Sequence, residues 1–285
     1  MKNNRIKGVI CIIISAFCFA LMNLLIRLSG DLPTFQKAFF RNFVAVIAAA
    51  VIIFREGGGI KWQKGNLPYL LLRSIFGTMG VLCNFYAVDH LVLSDASMLN
   101  KLSPFFAIIF SMLILKEKVN LFQAMSVVIA FIGSLFIIKP TGISMNVASL
   151  MGMLGGMGAG MAYTFVRKLS MRGERGSVIV FFFSGFSCLV IMPFMVMSYT
   201  PMTAVQVLTL IGTGLAAAGG QFSITAAYSY APAKEISVFD YSQIVFAALL
   251  GFFVLNQVPD IYSVIGYIII CSVSVAMFFR NKRMA

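Results

Sequence analysis

Ten apolar runs, separated by short breaks, constrain the fold of this chain more than any other feature. They lie at roughly 8–28, 36–54, 66–88, 93–114, 119–138, 147–168, 177–199, 205–228, 234–255 and 260–279. A helix of about twenty residues crosses the roughly 30 Å hydrocarbon core of a bilayer. Charged residues make up only 11% of the chain, about half their share in a soluble domain. The sequence therefore predicts an all-α integral membrane protein with ten transmembrane helices.

The basic residues predict how these helices are oriented. If both termini are cytoplasmic, sixteen of the 22 Lys and Arg residues fall on the inner side, three on the outer side and three within the runs. Short cytoplasmic loops are enriched in Lys and Arg, so this orientation is favoured over its inverse. We therefore expect a multi-pass protein of the cell membrane, in contact with the lipid bilayer. The net charge of +13 then reflects topology, and we expect no nucleic-acid partner.

A repeat is visible when the sequence is shifted by 140 residues. Run 1 then falls on run 6, run 4 on run 9, and run 5 on run 10. Each half contains five runs, an odd number, so the halves must have opposite orientations in the membrane. Many transporters have this inverted-repeat plan, with a site near the bilayer midplane. The sequence predicts two inverted five-helix repeats, 1–140 and 141–285, around a central cavity.

Four charged residues lie more than one helical turn from the ends of the apolar runs: Arg41, Arg73, Lys101 and Asp240. The 140-residue shift pairs Asn100-Lys101 with Asp240-Tyr241, so Lys101 and Asp240 are expected to face each other across the cavity. Intramembrane charges are costly and usually mark pathways or proton relays. The pair is either a substrate-binding pair or a permanent structural ion pair, and both roles stay open. Asp240 is also a candidate for proton coupling.

The run that holds Lys101 is expected to be one continuous helix. Ser94, Ser97, Lys101, Pro104 and Ser111 recur at steps of three, four or seven residues, which would place them on one helix face.

Further candidates for the binding site follow from polarity and depth in the membrane. Arg41 either binds a carboxylate through two hydrogen bonds or extends its side chain to the membrane interface. For Arg73, the second of these roles is favoured over substrate binding. Amide and phenol side chains either line the cavity or bond neighbouring helices: Asn23, Asn84, Asn100, Tyr163, Gln221 and Tyr241. Gly152, Gly156 and Gly160 predict a groove for close helix packing.

The sequence offers no nucleotide-binding loop, no nucleophile–base pair and no cluster of metal ligands. All five cysteines lie in apolar runs, without metal-site spacing. We therefore expect a protein that is not an enzyme, with no cofactor and no metal.

Several short motifs occur in an order that resembles the EamA-type branch of the drug/metabolite transporter superfamily. They are Arg41, Arg73 followed by glycines, Tyr86-Ala87, Leu93-Ser94-Asp95-Ala96, Leu102-Ser103-Pro104, Leu115-Lys116-Glu117, and the stretch from Val245 to Gly251. The resemblance covers nearly the whole chain, but Asn256-Gln257 stands where the family usually carries Gly-Glu. It implies secondary transport, commonly export, of amino acids or other metabolites.

These observations predict a secondary transporter, of the exporting kind, for small polar metabolites. The four intramembrane charges sum to +2, which favours amino acids or related anionic or zwitterionic compounds. Transport would proceed by alternating access, with the site between the two repeats. The alternatives are a membrane-embedded enzyme, a lipid scramblase, or a non-transporting scaffold or receptor. The coupling ion, protons included, and the choice between monomer and dimer stay open.

Overall fold

The structure, a computed structural model, describes residues 2–57, 59–116, 120–138, 146–230 and 237–283. All regular structure in these ranges is helical. The helices are α1 Lys2–Leu28, α2 Thr34–Arg55, α3 Leu67–His90, α4 Leu93–Asn100, α5 Ser103–Ile114, α6 Leu121–Ile138, α7 Val147–Met171, α8 Gly176–Met197, α9 Ala204–Tyr230, α10 Ser242–Leu255 and α11 Ile261–Arg283, with a 3₁₀ helix at Ser237–Tyr241. The boundary predicted between the repeats, at 140/141, lies outside the described residues.

Helices occupy all ten predicted runs, which confirms the all-α membrane fold. Six helical segments of the described chain are long and apolar enough to cross a membrane, and three shorter apolar helices accompany them. Large apolar side chains such as Leu113, Phe253 and Met197 are exposed on the outside of the bundle. This is the pattern of helices whose outer faces contact lipid and not water.

The prediction of a continuous helix in run 4 is wrong. Helix α4 ends at Asn100, and α5 begins at Ser103 with Pro104 in its first turn. Proline has no N–H to donate, and its ring would clash with the carbonyl of the residue four positions earlier, here Asn100, so the helix breaks between them. Lys101 caps α4 instead of continuing it, and the predicted polar face does not extend across the break.

Run 9 is interrupted at the matching place. Asp240 and Tyr241 end the 3₁₀ helix Ser237–Tyr241, and α10 continues from Ser242. The hydroxyl of Tyr241 donates a hydrogen bond to the backbone carbonyl of Lys101 at 3.1 Å. A carbonyl at a helix end lacks an intrahelical partner, so the two interruptions stabilise each other.

Close packing brings the helices of the two halves together. α1 lies along α9, α3 along α7, α2 along α8, α6 along α11, and α4 along α10. The prediction of a packing groove in α7 is confirmed, because a Cβ atom added to Gly156 would lie 2.6 Å from the carbonyl oxygen of Leu99, and one on Gly160 would lie 2.7 Å from that of Ser103. Glycine therefore lets α7 approach the interrupted run 4 closely enough to enclose the site.

Candidate functional site

A polar cavity lies in the middle of the bundle, beside the interruption of run 4. Its volume is about 70 Å³ and it is lined by Phe19, Met22, Asn23, Arg41, Arg73, Gly77, Gly80, Val81, Asn84, Phe85, Asn100, Lys101, Ala159, Ala162, Tyr163, Phe183, Gln221 and Gln243. Eight helices and the residue that caps α4 contribute to this lining. The volume is well below the roughly 300 Å³ at which ligand pockets usually begin, so a bound metabolite requires the helices to move apart.

Lys101 and Asp240 form a buried ion pair at one side of the cavity. The Nζ atom of Lys101 donates to Oδ2 of Asp240 at 2.6 Å, and the two side chains are 4% and 6% exposed. The other carboxylate oxygen of Asp240, Oδ1, is buried and has no hydrogen-bond partner in the part of the chain that the structure describes. One carboxylate oxygen of Asp240 therefore binds Lys101, and the other can accept a further hydrogen bond.

Two arginines of the cavity wall approach one aromatic ring, that of Phe183. The Cζ atom of Arg73 lies 3.8 Å from the centroid of the Phe183 ring, and that of Arg41 lies 5.5 Å from it. Arg41 also donates to the side-chain oxygen of Asn42 at 2.5 Å. Gly77 makes room for this arrangement, because an added Cβ would collide with the Arg73 guanidinium and lie 2.9 Å from Phe183 Cε2.

Neutral polar side chains also line the cavity. Asn84 donates to Asn23 at 3.3 Å, and Asn23 donates to the hydroxyl of Ser97 at 3.4 Å. The phenol of Tyr163 lines the same cavity as Arg41 and Arg73. The cavity wall therefore offers cations, amides and a phenol to one small volume.

Four buried polar atoms around the cavity have no hydrogen-bond partner among the described residues. They are Nε of Arg41, Nε of Arg73, Oδ1 of Asn84 and Oδ1 of Asp240. Buried polar groups in folded proteins are nearly always hydrogen-bonded, and each exception calls for a specific cause such as a ligand or water. Two unpaired donors and two unpaired acceptors around one cavity are typical of a binding site for a polar compound.

The structure brings most of the predicted site residues together. Seven of the nine line the cavity: Asn23, Arg41, Asn84, Asn100, Lys101, Tyr163 and Gln221. Asp240 reaches it through Lys101, whereas Tyr241 contacts the backbone of Lys101. Arg73, for which the sequence favoured a structural role, also lines the cavity. Phe183 and Gln243 were not foreseen, because nothing in the sequence distinguishes them from other residues of their runs.

A second buried ion pair corrects the expectation that only four charged residues lie within the helices. Lys37 is 1% exposed, and its Nζ atom contacts both carboxylate oxygens of Asp89, at 2.7 and 2.8 Å. Arg27 donates to the backbone carbonyls of Val88 and Asp89. These residues tie together the end of α1, the start of α2 and the end of α3. Lys37 is one of the three basic residues that the sequence placed on the outer side, because it is only the second residue of its run.

Hydrogen bonds join the two halves at opposite ends of the bundle. At the end where α1 begins, which we call the terminal end, Glu174 accepts from the backbone N–H of Gln63 at 3.0 Å and from the side chain of Asn66 at 2.9 Å. At the distal end, the side chain of Gln36 makes two hydrogen bonds with the backbone of Thr200, at 2.9 and 3.0 Å. The cavity lies between these two closures.

The fold and the charged cavity together define a polytopic membrane protein with an internal polar site. A family model described as the EamA-like transporter family matches the chain twice, at residues 6–139 and 146–279. This chain belongs to the EamA-like transporter family, within the drug/metabolite transporter superfamily, as the sequence motifs indicated.

Known relatives cover nearly the whole chain. The pseudopaline exporter CntI of Pseudomonas aeruginosa (strain UCBPP-PA14) is 31% identical over 279 residues, covering 97% of both chains. An uncharacterized transporter of Helicobacter pylori (strain J99) is 26% identical and covers 95% of both. A riboflavin transporter of Vibrio cholerae is 25% identical, over 91% of this chain and 88% of its own. These names identify transporters and not enzymes.

A solved crystal structure supports the same fold. It aligns with a TM-score of 0.68 at 14% sequence identity, over 100% of this chain and 99% of its own. At that identity the similarity concerns the fold alone.

Proposed function

We propose that this protein is a secondary transporter that exports small polar metabolites, amino acids or related anionic or zwitterionic compounds. The observation that carries the proposal is the set of four unpartnered buried atoms on Arg41, Arg73, Asn84 and Asp240. A polar substrate would supply the missing partners, and each buried group left unpaired costs about 1–3 kcal/mol. The family and the relatives, one of which is an exporter, agree with transport.

The mechanism we propose is alternating access between two inverted repeats, 1–140 and 141–285. Support comes from the family model, which matches once in each half. The helix contacts agree, because α1 against α9 and α3 against α7 are equivalent pairs under a shift of five runs. The terminal-end and distal-end closures would open in turn. By the distribution of Lys and Arg, the terminal end faces the cytoplasm of a cell-membrane protein.

Lys101 and Asp240 take the central role in this proposal. The substrate would compete with Asp240 for Lys101 and use the available Oδ1 atom of Asp240 as an acceptor. The same carboxylate is our candidate for proton coupling, because a proton on it would release Lys101 from the pair. Asn23, Asn84, Asn100, Tyr163 and Gln221 would orient the substrate by hydrogen bonds, and Tyr241 would hold the interruption of run 4 in place.

Reconstitution in lipid vesicles tests the proposal. Purified protein should move radiolabelled members of an amino-acid and organic-acid panel, and Lys101→Met and Asp240→Asn should each abolish that movement while folded protein is still recovered. Arg280→Met is a suitable control, because Arg280 is exposed at the end of α11. Movement of lipid by the wild type and both variants, with no metabolite carried, would instead establish a scramblase.

A further inference from the structure

Arg41 and Arg73 bury two guanidinium groups in the cavity without an acidic partner. The residues are 1% and 3% exposed. Among the described residues, no carboxylate oxygen lies within 4.0 Å of either guanidinium. In both side chains the Nε atom also has no hydrogen-bond acceptor within the described ranges. Buried cations in proteins are ordinarily paired, so we expect these two guanidinium groups to bind an anion that is not part of the chain.

The charge of the cavity sets how much negative charge that anion must bring. Lys101 and Asp240 neutralise each other at 2.6 Å. The two arginines therefore give the cavity two positive charges that no acid among the described residues balances. A substrate with a single carboxylate would neutralise only one of them, and the other would stay buried and unpaired.

The placement of the two guanidiniums also bears on the shape of the anion. Arg41 comes from α2 and Arg73 from α3, and both contact the ring of Phe183, at 5.5 and 3.8 Å. The two Cζ atoms are thus no farther apart than the sum of these distances, which a short carbon chain can span. Each guanidinium is a planar fork that fits one carboxylate through two hydrogen bonds.

We propose that the compound carried by this protein bears two carboxylates, one held by Arg41 and the other by Arg73, with Phe183 fixing the orientation of both guanidiniums. This proposal rests on the proposed transport function and narrows its substrate class to dicarboxylic acids and dicarboxylic amino acids. Oδ1 of Asn84 and Oδ1 of Asp240 then accept hydrogen bonds from an amino group on the same compound.

Matched ligand pairs test the proposal on the wild-type protein. Aspartate and asparagine, glutamate and glutamine, and succinate and succinamate differ only in that one carboxylate becomes an amide. Thermal stabilisation of the purified protein should give, for at least one pair, an apparent affinity about tenfold or more higher for the diacid, the effect of one lost charge-assisted hydrogen-bond pair. The preferred pair also reports the spacing between the two guanidiniums.

Variants assign the preference to the two arginines. Arg73→Met and Arg41→Met should each lower the diacid-to-amide affinity ratio towards one, and Arg73→Lys should restore only part of it because ammonium lacks the fork. Arg280→Met is the matched control. Arg280 also lies over an aromatic ring, Phe122, at 4.6 Å from its centroid, but it is exposed, so the ratio should not change.

The outcomes separate this proposal from the transport function. Equal affinities for diacid and amide in every pair, or no stabilisation by any diacid, would overturn the two-carboxylate site. Tighter binding of a phosphate monoester such as glycerol 3-phosphate than of every diacid would overturn it as well. Uptake into vesicles of a monocarboxylate with the same rate as its diacid partner would leave transport standing and refute the narrower claim. Absence of uptake for the entire metabolite panel would refute transport itself.

Discussion

Lys101 and Asp240 form a buried pair to which we assign two roles, holding run 4 against run 9 and binding the substrate. Experiments can separate these roles. An ion pair at 2.6 Å in a buried setting holds run 4 against run 9. Removing one partner leaves the other charge buried and unpaired, which typically costs about 3–5 kcal/mol, whereas replacing both by apolar residues is often neutral. Stability and substrate binding therefore respond differently to single and double substitutions.

We predict that Lys101→Met loses about 3 kcal/mol or more of stability, and that Lys101→Met combined with Asp240→Leu recovers most of this loss while transport stays abolished. The double variant restores packing without restoring the charges that a substrate would need. Thermal unfolding in detergent and vesicle uptake measure the two properties on the same preparations. A double variant that both folds and transports like the wild type would show that the pair is only structural.

Glycines determine how closely the helices can pack around the site. α3 and α7 meet where Gly80 faces Gly155 and Gly158, and an added Cβ on Gly158 would lie 2.9 Å from the Cα of Gly80 and from the carbonyl oxygen of Phe76. These atoms belong to backbone, which cannot rotate away as a side chain can. Membrane helices use such small residues because close contact, and not the hydrophobic effect, stabilises their association.

We predict that Gly158→Ala destabilises the protein by about 1–3 kcal/mol, because the added methyl group forces α7 away from α3. Gly185→Ala in α8 is the control, since its Cβ would meet nothing closer than Val46 at 3.7 Å, and its stability should stay within about 1 kcal/mol of the wild type. Thermal unfolding of the two variants in detergent makes the comparison. Equal unfolding temperatures would mean that the α3–α7 contact is looser than described.

The whole bundle is closed at both ends by contacts between its halves. The terminal-end closure is charged, with Glu174 accepting from Gln63 and Asn66, and the distal-end closure is neutral, with Gln36 bound to the Thr200 backbone. Alternating access requires each closure to break while the other holds. Further hydrogen bonds between the halves reinforce each closure, such as Ser177 with Glu56 at the terminal end and Gln206 with the Ser29 carbonyl at the distal end, so opening either end breaks several bonds together.

We predict that locking either closure stops transport reversibly. In a background without the five native cysteines, Asn66→Cys with Glu174→Cys, or Gln36→Cys with Thr200→Cys, would be joined by a short, reducible bifunctional thiol reagent. Vesicle uptake should fall to background after treatment and return after reduction. Each single-cysteine variant, treated in the same way, is the control. Full activity with one end locked would contradict alternating access by separation of these segments.

Much of this architecture can be predicted from the sequence, because it depends on the composition of each run and not on contacts between distant residues. A bilayer requires long apolar runs, so the positions of the ten helices follow from hydropathy alone. The cost of burying charge singled out Arg41, Lys101 and Asp240, and the 140-residue shift placed Asn100-Lys101 opposite Asp240-Tyr241, which predicted that Lys101 and Asp240 lie close together. Small residues at four-residue steps predicted the face of α7 that packs closely.

Tertiary structure decided the rest, because those features depend on contacts between distant residues. Runs 4 and 9 have the hydropathy of unbroken helices, and their interruptions are stabilised by each other through Tyr241 and the carbonyl of Lys101. Whether Arg73 points into the cavity depends on the rotation of α3, which the packing against α7 and α8 sets. Hydropathy reports how deep a residue lies in the membrane, whereas helix packing alone decides which side chains meet there.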